Sequence, residues 1–250
     1  MLQIVNKPAV AAAFGRAAGR YNQHAELQRL CGERLLAFSR PGEALTVLDA
    51  GCGTGWFSQR WQLGGHRVTA LDLSPAMLQQ AQAGAVADRY QLGDIEALPF
   101  ADGAFDRCWS NLAVQWCSDL AQALGELRRV TRPGGQLLFS TVAAGSLREV
   151  GQAWQALGQA PPVNRFLSPS QIAAALPAAT LRPLTVTLAF PDVLGALRSL
   201  KGIGATHLHE GRGAMTLSRR RLRQLEAVWP RDARGCLLTY QLILGEITRD

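Results

Sequence analysis

Leu48-Asp49-Ala50-Gly51-Cys52-Gly53-Thr54-Gly55 decides how this chain is read. A short apolar run from Leu45 to Leu48 leads into an acid and then three glycines at alternate positions. The pattern predicts a buried strand that ends in a tight glycine turn and opens a helix. The glycines let the backbone turn sharply and let a ligand lie against it, where a Cβ would intrude. Their spacing separates two ligand classes. A dinucleotide site needs Gly-x-Gly-x-x-Gly, whose third glycine brings helix and strand together over a pyrophosphate. Here the third glycine arrives one residue early, and Trp56 stands where that pattern keeps a glycine.

The rest of the chain bounds the possibilities. Its 250 residues are 48% hydrophobic, enough for a full core. No apolar run approaches the ~18 residues of a membrane span, and the start, MLQIVNKPAV, lacks the pattern of a signal peptide. Cys31, Cys52, Cys108, Cys117 and Cys236 form no Cys-x-x-Cys pair, which predicts reduced thiols and a cytoplasmic protein. The four histidines do not combine with cysteines at ligand spacing, so no metal is expected. Ten basic and ten acidic residues cancel over 46–190, whereas 1–45 carry six against three and 191–250 ten against six. A neutral middle between basic ends suggests an acidic partner or substrate.

Strand and helix signals alternate from residue 45. VLDAG (47–51), RVTALDLS (67–74), RYQLGDIE (89–96), FDRCWSNLA (105–113) and QLLFSTV (136–142) read as strands. Between them lie a helix opened by Ser74-Pro75, where Ser74 suits the cap, and a helix over 120–130 stopped by Arg132-Pro133-Gly134-Gly135. Residues 6–38 carry helical periodicity, and 146–178 read as helices around Pro161-Pro162. LRPLTVTLAF (181–190) and CLLTYQLILGEI (236–247) are two more strands, separated by a long helical insert with a polar loop near His207 to Gly213. The class is α/β with a doubly wound sheet. The chain reads as one domain: an N-terminal helical lid (1–44), a core (45–145), a helical segment (146–180) and a helical cap insert (191–230).

An acid followed by Gly-x-Gly-x-Gly resembles motif I of the class I S-adenosylmethionine methyltransferases. Further motifs follow in that family's order. Asp72 ends the second strand, 23 residues after Asp49, at the distance where such folds place an acid on the ribose hydroxyls. Asp94-Ile95 resembles the adenine motif, and Asn111 the position facing the methionine moiety. Phe105-Asp106 resembles the pair that opens the fourth strand, with Asp106 structural. The resemblance implies a seven-stranded, mostly parallel Rossmann-like sheet with the last strand antiparallel to its neighbours. It implies S-adenosylmethionine as cofactor, held by Phe14, Tyr21, Asp49, Gly51, Cys52, Gly53, Asp72, Leu73, Met77, Asp94, Ile95 and Asn111. Phe14 and Tyr21 would belong to the lid. These motifs bind cofactor without doing chemistry, so a non-catalytic binding protein stays open.

The acceptor must be read elsewhere. Nucleic-acid amino methyltransferases carry Asn/Asp-Pro-Pro-aromatic after the fourth strand, where this chain has SNLAVQWC, so nucleic acid is not expected. Quinone and other small-molecule methyltransferases share the motifs and remain an alternative. The segments AAAFGRAAGRYNQHAELQ (11–28), SNLAVQW (110–116) and SLKGIGATHLHEGR (199–212) closely resemble the malonyl-acyl-carrier-protein O-methyltransferase family of biotin synthesis, over essentially the whole chain. That family esterifies the free malonyl carboxyl on acyl carrier protein (ACP). Such a carboxyl, with an ordinary pKa of ~4 or below, is ionised at neutral pH and needs no general base. The resemblance makes Tyr21, Gln115, Arg165, His207 and His209 the candidates around the reacting carboxylate. Trp116, Arg165, Arg198, Lys201 and Arg212 are the candidates for substrate and carrier contact.

Overall fold

The computed structural model describes residues 5–202 and 218–250. An N-terminal layer holds α1 (Lys7–Ala17), a 3₁₀ turn (Ala18–Arg20), α2 (Tyr21–His24) and α3 (Glu26–Leu36). The alternating core follows as β1 (Thr46–Ala50), α4 (Trp56–Leu63), β2 (Arg67–Asp72), α5 (Pro75–Ala83), β3 (Arg89–Leu92), β4 (Phe105–Asn111), a 3₁₀ turn (Val114–Trp116), α6 (Leu120–Val130) and β5 (Thr131–Val142). Then come α7 (Arg148–Ala156), α8 (Pro169–Ala175), β6 (Thr180–Phe190), α9 (Val193–Gly202), α10 (Arg219–Val228), β7 (Arg231–Asp232) and β8 (Gly235–Thr248).

The strands form one sheet in the order β3-β2-β1-β4-β5-β8-β6, with the short β7 paired to β8. The first five pair in parallel, and β8 runs antiparallel to both β5 and β6. This is the expected seven-stranded layout, with β7 as a small unforeseen hairpin. Successive strand residues feed opposite faces, as the pleat requires. Val47, Trp109 and Leu138 join a core with Leu35, Phe57, Trp61, Trp154 and Trp229. Leu48, Cys108, Leu137 and Phe139 join a second core with Leu124, Leu127 and Ile172. Both faces are thus covered, which explains the near-continuous apolar strands.

Local chemistry sets the boundaries. Asn6 caps α1 by accepting from Ala9 N at 3.0 Å, Asp119 caps α6, and Ser168 with Gln171 forms a capping box on α8. The helical periodicity over 6–38 is realised as α1, a 3₁₀ turn, α2 and α3: unbroken, it would run about 50 Å, whereas here α1 packs on α5 and α3 on β4 and β5, so the chain turns between them. One expectation changes. The fifth strand starts at Thr131, ahead of the Pro-Gly-Gly stop. Thr131 pairs with Phe105, the register then jumps to Gln136 opposite Arg107, and the bulged glycines bond to Arg249 across the sheet (Gly134 N to Arg249 O 2.6 Å, Arg249 N to Gly135 O 2.9 Å).

Candidate active site

The glycine turn sits at the carboxyl end of β1, beside those of β2 and β4. Gly51 has φ +79°, and a Cβ there would lie 2.3 Å from Ala113 Cβ. Only glycine allows this loop to rest on the segment after β4. Gly53, at φ +57°, donates its N–H to Asp72 Oδ2 at 2.8 Å. Trp56 opens α4, 43% exposed, with no side-chain cap on the helix.

Three acids line this end of the sheet. Asp49 is 2% exposed and accepts from Ser58 Oγ at 2.6 Å. Burial pushes its pKa up to about 7, offset in part by Ser58, with the Asp72 charge adding to the rise. Asp72 holds Gly53 N with one oxygen and Ser74 N with the other at 2.8 Å; burial raises its pKa and these bonds oppose the rise. Ser74 occupies the cap position of α5 but makes no side-chain capping bond, its turn being held by Asp72 instead. Asp94 accepts from Glu96 N at 3.0 Å and is ion-paired with Lys7, which also pairs with Glu96. Glu96 is 6% exposed and accepts from Ser118 N and Asp119 N. Lys7 therefore ties α1 to the loops after β3 and β4.

At the end of β4, Asn111 is held from both sides. Its Nδ2 donates to Gln28 O at 2.9 Å, and its Oδ1 accepts from Ser140 Oγ at 2.8 Å. Leu112 adopts φ +50°, a left-handed conformation costing about 1–2 kcal/mol for a residue with a Cβ. Its N–H reaches Ser140 Oγ at 2.9 Å, and its carbonyl accepts from Gln115 Nε2 at 2.6 Å. This strained turn aims Asn111 to one side and Gln115 to the other.

Two clefts result. One is lined among others by Tyr21, Gln28, Asp49, Gly51, Cys52 and Asn111. The other includes Gln115, Ser118, Thr141, Arg165 and Phe166. Nearby, the Phe14 ring of α1 lies 6.5 Å from that of Tyr21 and meets the edge of Trp116 at 5.3 Å. Burial raises the Tyr21 phenol well above its ordinary range, so it stays protonated at neutral pH. Burial also raises the Cys52 thiol.

The structure thus brings Tyr21, Asp49, Gly51, Cys52, Gly53 and Asn111 together in the first cleft, with Asp72 behind Gly53 and Phe14 between Tyr21 and Trp116, and Gln115 with Arg165 at the second. Asp94 is paired with Lys7 of α1, and Ile95 is buried. Leu73 is half-buried, and Met77 is 1% exposed, inside the packing of α5. Arg198 and Lys201 are exposed on α9, whose end packs on α2, since a Cβ on Gly202 would lie 2.2 Å from the His24 ring. His207, His209 and Arg212 fall outside the described residues. Sequence reasoning passes over Lys7, Gln28, Arg29, Glu96 and Ser140. Only Lys7 carries a signal, as one of two lysines in an arginine-rich chain.

The residues fit S-adenosylmethionine. The glycine loop leaves a cradle a Cβ would fill, buried acids face a ligand that carries positive charge, and Gln28 Oε1 is buried beside the first cleft with no hydrogen-bond partner. Among the described residues no helix is long and apolar enough to cross a membrane, and no group of three or more His, Cys, Asp or Glu could hold a metal ion.

Comparison with known proteins agrees. The methyltransferase-domain family matches residues 48–139. A Bacillus halodurans crystal structure described as a methyltransferase shares the fold, with a TM-score of 0.61 at 18% identity over 86% of this chain and 96% of its own. The malonyl-[acyl-carrier protein] O-methyltransferase of Erwinia pyrifoliae is 70% identical over 100% of this chain and 96% of its own, and that of Erwinia billingiae is 63% identical over 100% of both. With identity of that extent over full-length relatives, the chain belongs to the malonyl-[acyl-carrier protein] O-methyltransferase family.

Proposed function

We propose that this chain transfers the methyl group of S-adenosylmethionine to the free carboxylate of malonyl-ACP, giving the methyl ester that primes pimeloyl formation in biotin synthesis. The observation that carries the reading is the 70% identity to a named malonyl-[acyl-carrier protein] O-methyltransferase over the whole chain. The bound cofactor supplies an electrophilic methyl group on a sulfonium. The protein's part is placement and the exclusion of water.

The acceptor is already an anion, with a pKa of ~4 or below, so no base is required. Arg165 and Gln115 line one cleft, and a guanidinium with an amide suits a carboxylate: the planar fork binds two oxygens and fixes their direction. Phe14, Tyr21 and Trp116 form the aromatic cover between the clefts, and the protonated Tyr21 hydroxyl is available as a donor. His207 and His209 remain candidates for the malonyl or pantetheine arm.

ACP is strongly acidic, and the exposed Arg198 and Lys201 flank the lid on α9. With Arg212 they form the docking surface in this reading, through complementary charge. The chain acts as one catalytic unit, with 1–44 as lid and 191–230 as cap. Five free cysteines suit a cytoplasmic setting.

The test is to incubate the protein with S-adenosylmethionine and malonyl-ACP and to weigh the carrier intact, with acetyl-ACP as control. A gain of one methylene on malonyl-ACP alone supports the assignment. No gain, with cofactor binding intact, would move the chain to small-molecule or quinone acceptors.

A further inference from the structure

The first cleft holds two polar groups that the motif reading leaves unused, and both come from α3. Gln28 and Arg29 line it together with Asn22 and Thr54. Gln28 Oε1 is buried without a hydrogen-bond partner, and a buried acceptor in that state costs about 1–3 kcal/mol unless a ligand satisfies it. The Gln28 main chain is already engaged, its carbonyl accepting from Asn111 Nδ2, so the side chain is carried on a fixed frame. Among the described residues the Arg29 guanidinium has a carbonyl and a ring as neighbours and no ion pair. Its Nη1 donates to Asn22 O at 2.8 Å, and its centre lies 5.2 Å from the Trp56 ring centroid. Asn22 is itself tied to the glycine turn, accepting from Thr54 Oγ1 at 2.7 Å. One nitrogen of five possible N–H donors is thus accounted for, and the fork is braced at the mouth of the cleft.

Asp49 and the glycine turn line the same cleft. The walls therefore offer two acceptors, Asp49 and Gln28 Oε1, and a cation, Arg29. A ligand end bearing an ammonium and a carboxylate on the same carbon matches that set. An adenosine does not, since it carries neither charge.

The geometry points to Gln28 and Arg29 as the residues that read the α-amino-acid end of the cofactor, Gln28 Oε1 accepting from its ammonium and Arg29 binding its carboxylate. This assignment rests on the S-adenosylmethionine reading above and deepens it. It gives α3 a second task besides packing on the sheet: selecting the whole amino-acid nucleoside over its truncated forms.

Truncated ligands test it. S-adenosylhomocysteine carries the amino-acid end, and 5′-methylthioadenosine lacks it. Affinities for both are measured by calorimetry on the full chain and on Arg29→Met, Arg29→Lys and Gln28→Ala, with thermal unfolding without ligand as a check on folding. The expected result is a loss of about tenfold or more for S-adenosylhomocysteine in Arg29→Met, a smaller loss in Arg29→Lys, and 5′-methylthioadenosine affinity unchanged within twofold in every variant. Equal losses for both ligands, or no loss for either, would overturn the assignment and leave cofactor binding standing. If the unsubstituted chain bound neither ligand, the cofactor reading itself would fall, and this one with it. Should Arg29→Met not fold, Arg29→Lys and Gln28→Ala decide by the same comparison.

Discussion

The Lys7 ammonium lies between the carboxylates of Asp94 and Glu96, joining the first helix to a loop some 87 residues further along the chain. Glu96 is nearly buried and Lys7 largely covered, so removing the cation strands charge away from water. Lys7→Met should cost about 1–3 kcal/mol in urea unfolding and make residues 7–24 an early site of limited proteolysis. Unaltered proteolysis would show that the N-terminal helices dock without this pair.

Asp49 carries a pH signature. Its folded pKa of about 7 lies above the unfolded value of ~3.9, so between these values the folded state binds more protons. Stability from this group is therefore full at low pH, falls as pH rises from about 4 to about 7, and is flat above. Asp49→Asn should lack that fall. A positively charged cofactor favours the ionised acid, so binding at pH 7 should release protons. Binding heats measured in buffers of different ionisation enthalpy should differ for the native chain and agree for Asp49→Asn; agreement in both would remove the raised pKa.

Ser140 supports both products of the turn after β4, donating to Asn111 Oδ1 and accepting from Leu112 N. Ser140→Ala should cost about 1–3 kcal/mol and lower kcat more than cofactor affinity, because it loosens the orientation of Asn111 and Gln115 rather than the glycine cradle. A variant with native turnover would deny that role.

Gly51→Ala combines a left-handed φ with a contact of 2.3 Å to Ala113 Cβ. Strain and overpacking together should cost about 2–5 kcal/mol. Gly51→Ala with Ala113→Gly should recover part of it, since only the clash is relieved. Thermal unfolding of the pair measures the split.

On the acceptor side, Arg198→Glu with Lys201→Glu should raise KM for malonyl-ACP about tenfold and leave S-adenosylhomocysteine affinity unchanged. Arg165→Met should raise KM for malonyl-ACP and malonyl-CoA alike. Equal losses on both thioesters in the α9 double variant would move those residues from carrier docking to the acceptor pocket.

The reach of sequence reasoning here follows from how far apart the interacting residues lie. The Asp49 to Asp72 interval is readable because one strand, one turn and one helix of near-constant length separate them. The Gly-x-Gly-x-Gly turn is readable because its backbone admits few other residues. Lys7 with Asp94, by contrast, depends on how α1 docks, and no local pattern encodes that. Gln28 and Arg29 look like any polar face of α3 until the helix is laid beside the glycine turn. Ser140 reads as a small strand residue, its value arising only from the neighbour strand bringing Asn111 and Leu112 within reach. The start of β5 is concealed because Pro-Gly-Gly signals a stop, whereas the sheet absorbs it as a bulge.

The position of β8 has a consequence for synthesis. Among the described residues β6 pairs only with β8 and through it joins the rest of the sheet, yet 45 residues separate Phe190 from Gly235, where β8 begins. At ~5–20 residues per second on the ribosome, β6 waits roughly 2–9 s before the first of β8 is made. Pro183, which faces Ile243 once the pair has formed, cannot donate to an intruding strand, and it guards that interval against pairing with a neighbouring nascent chain.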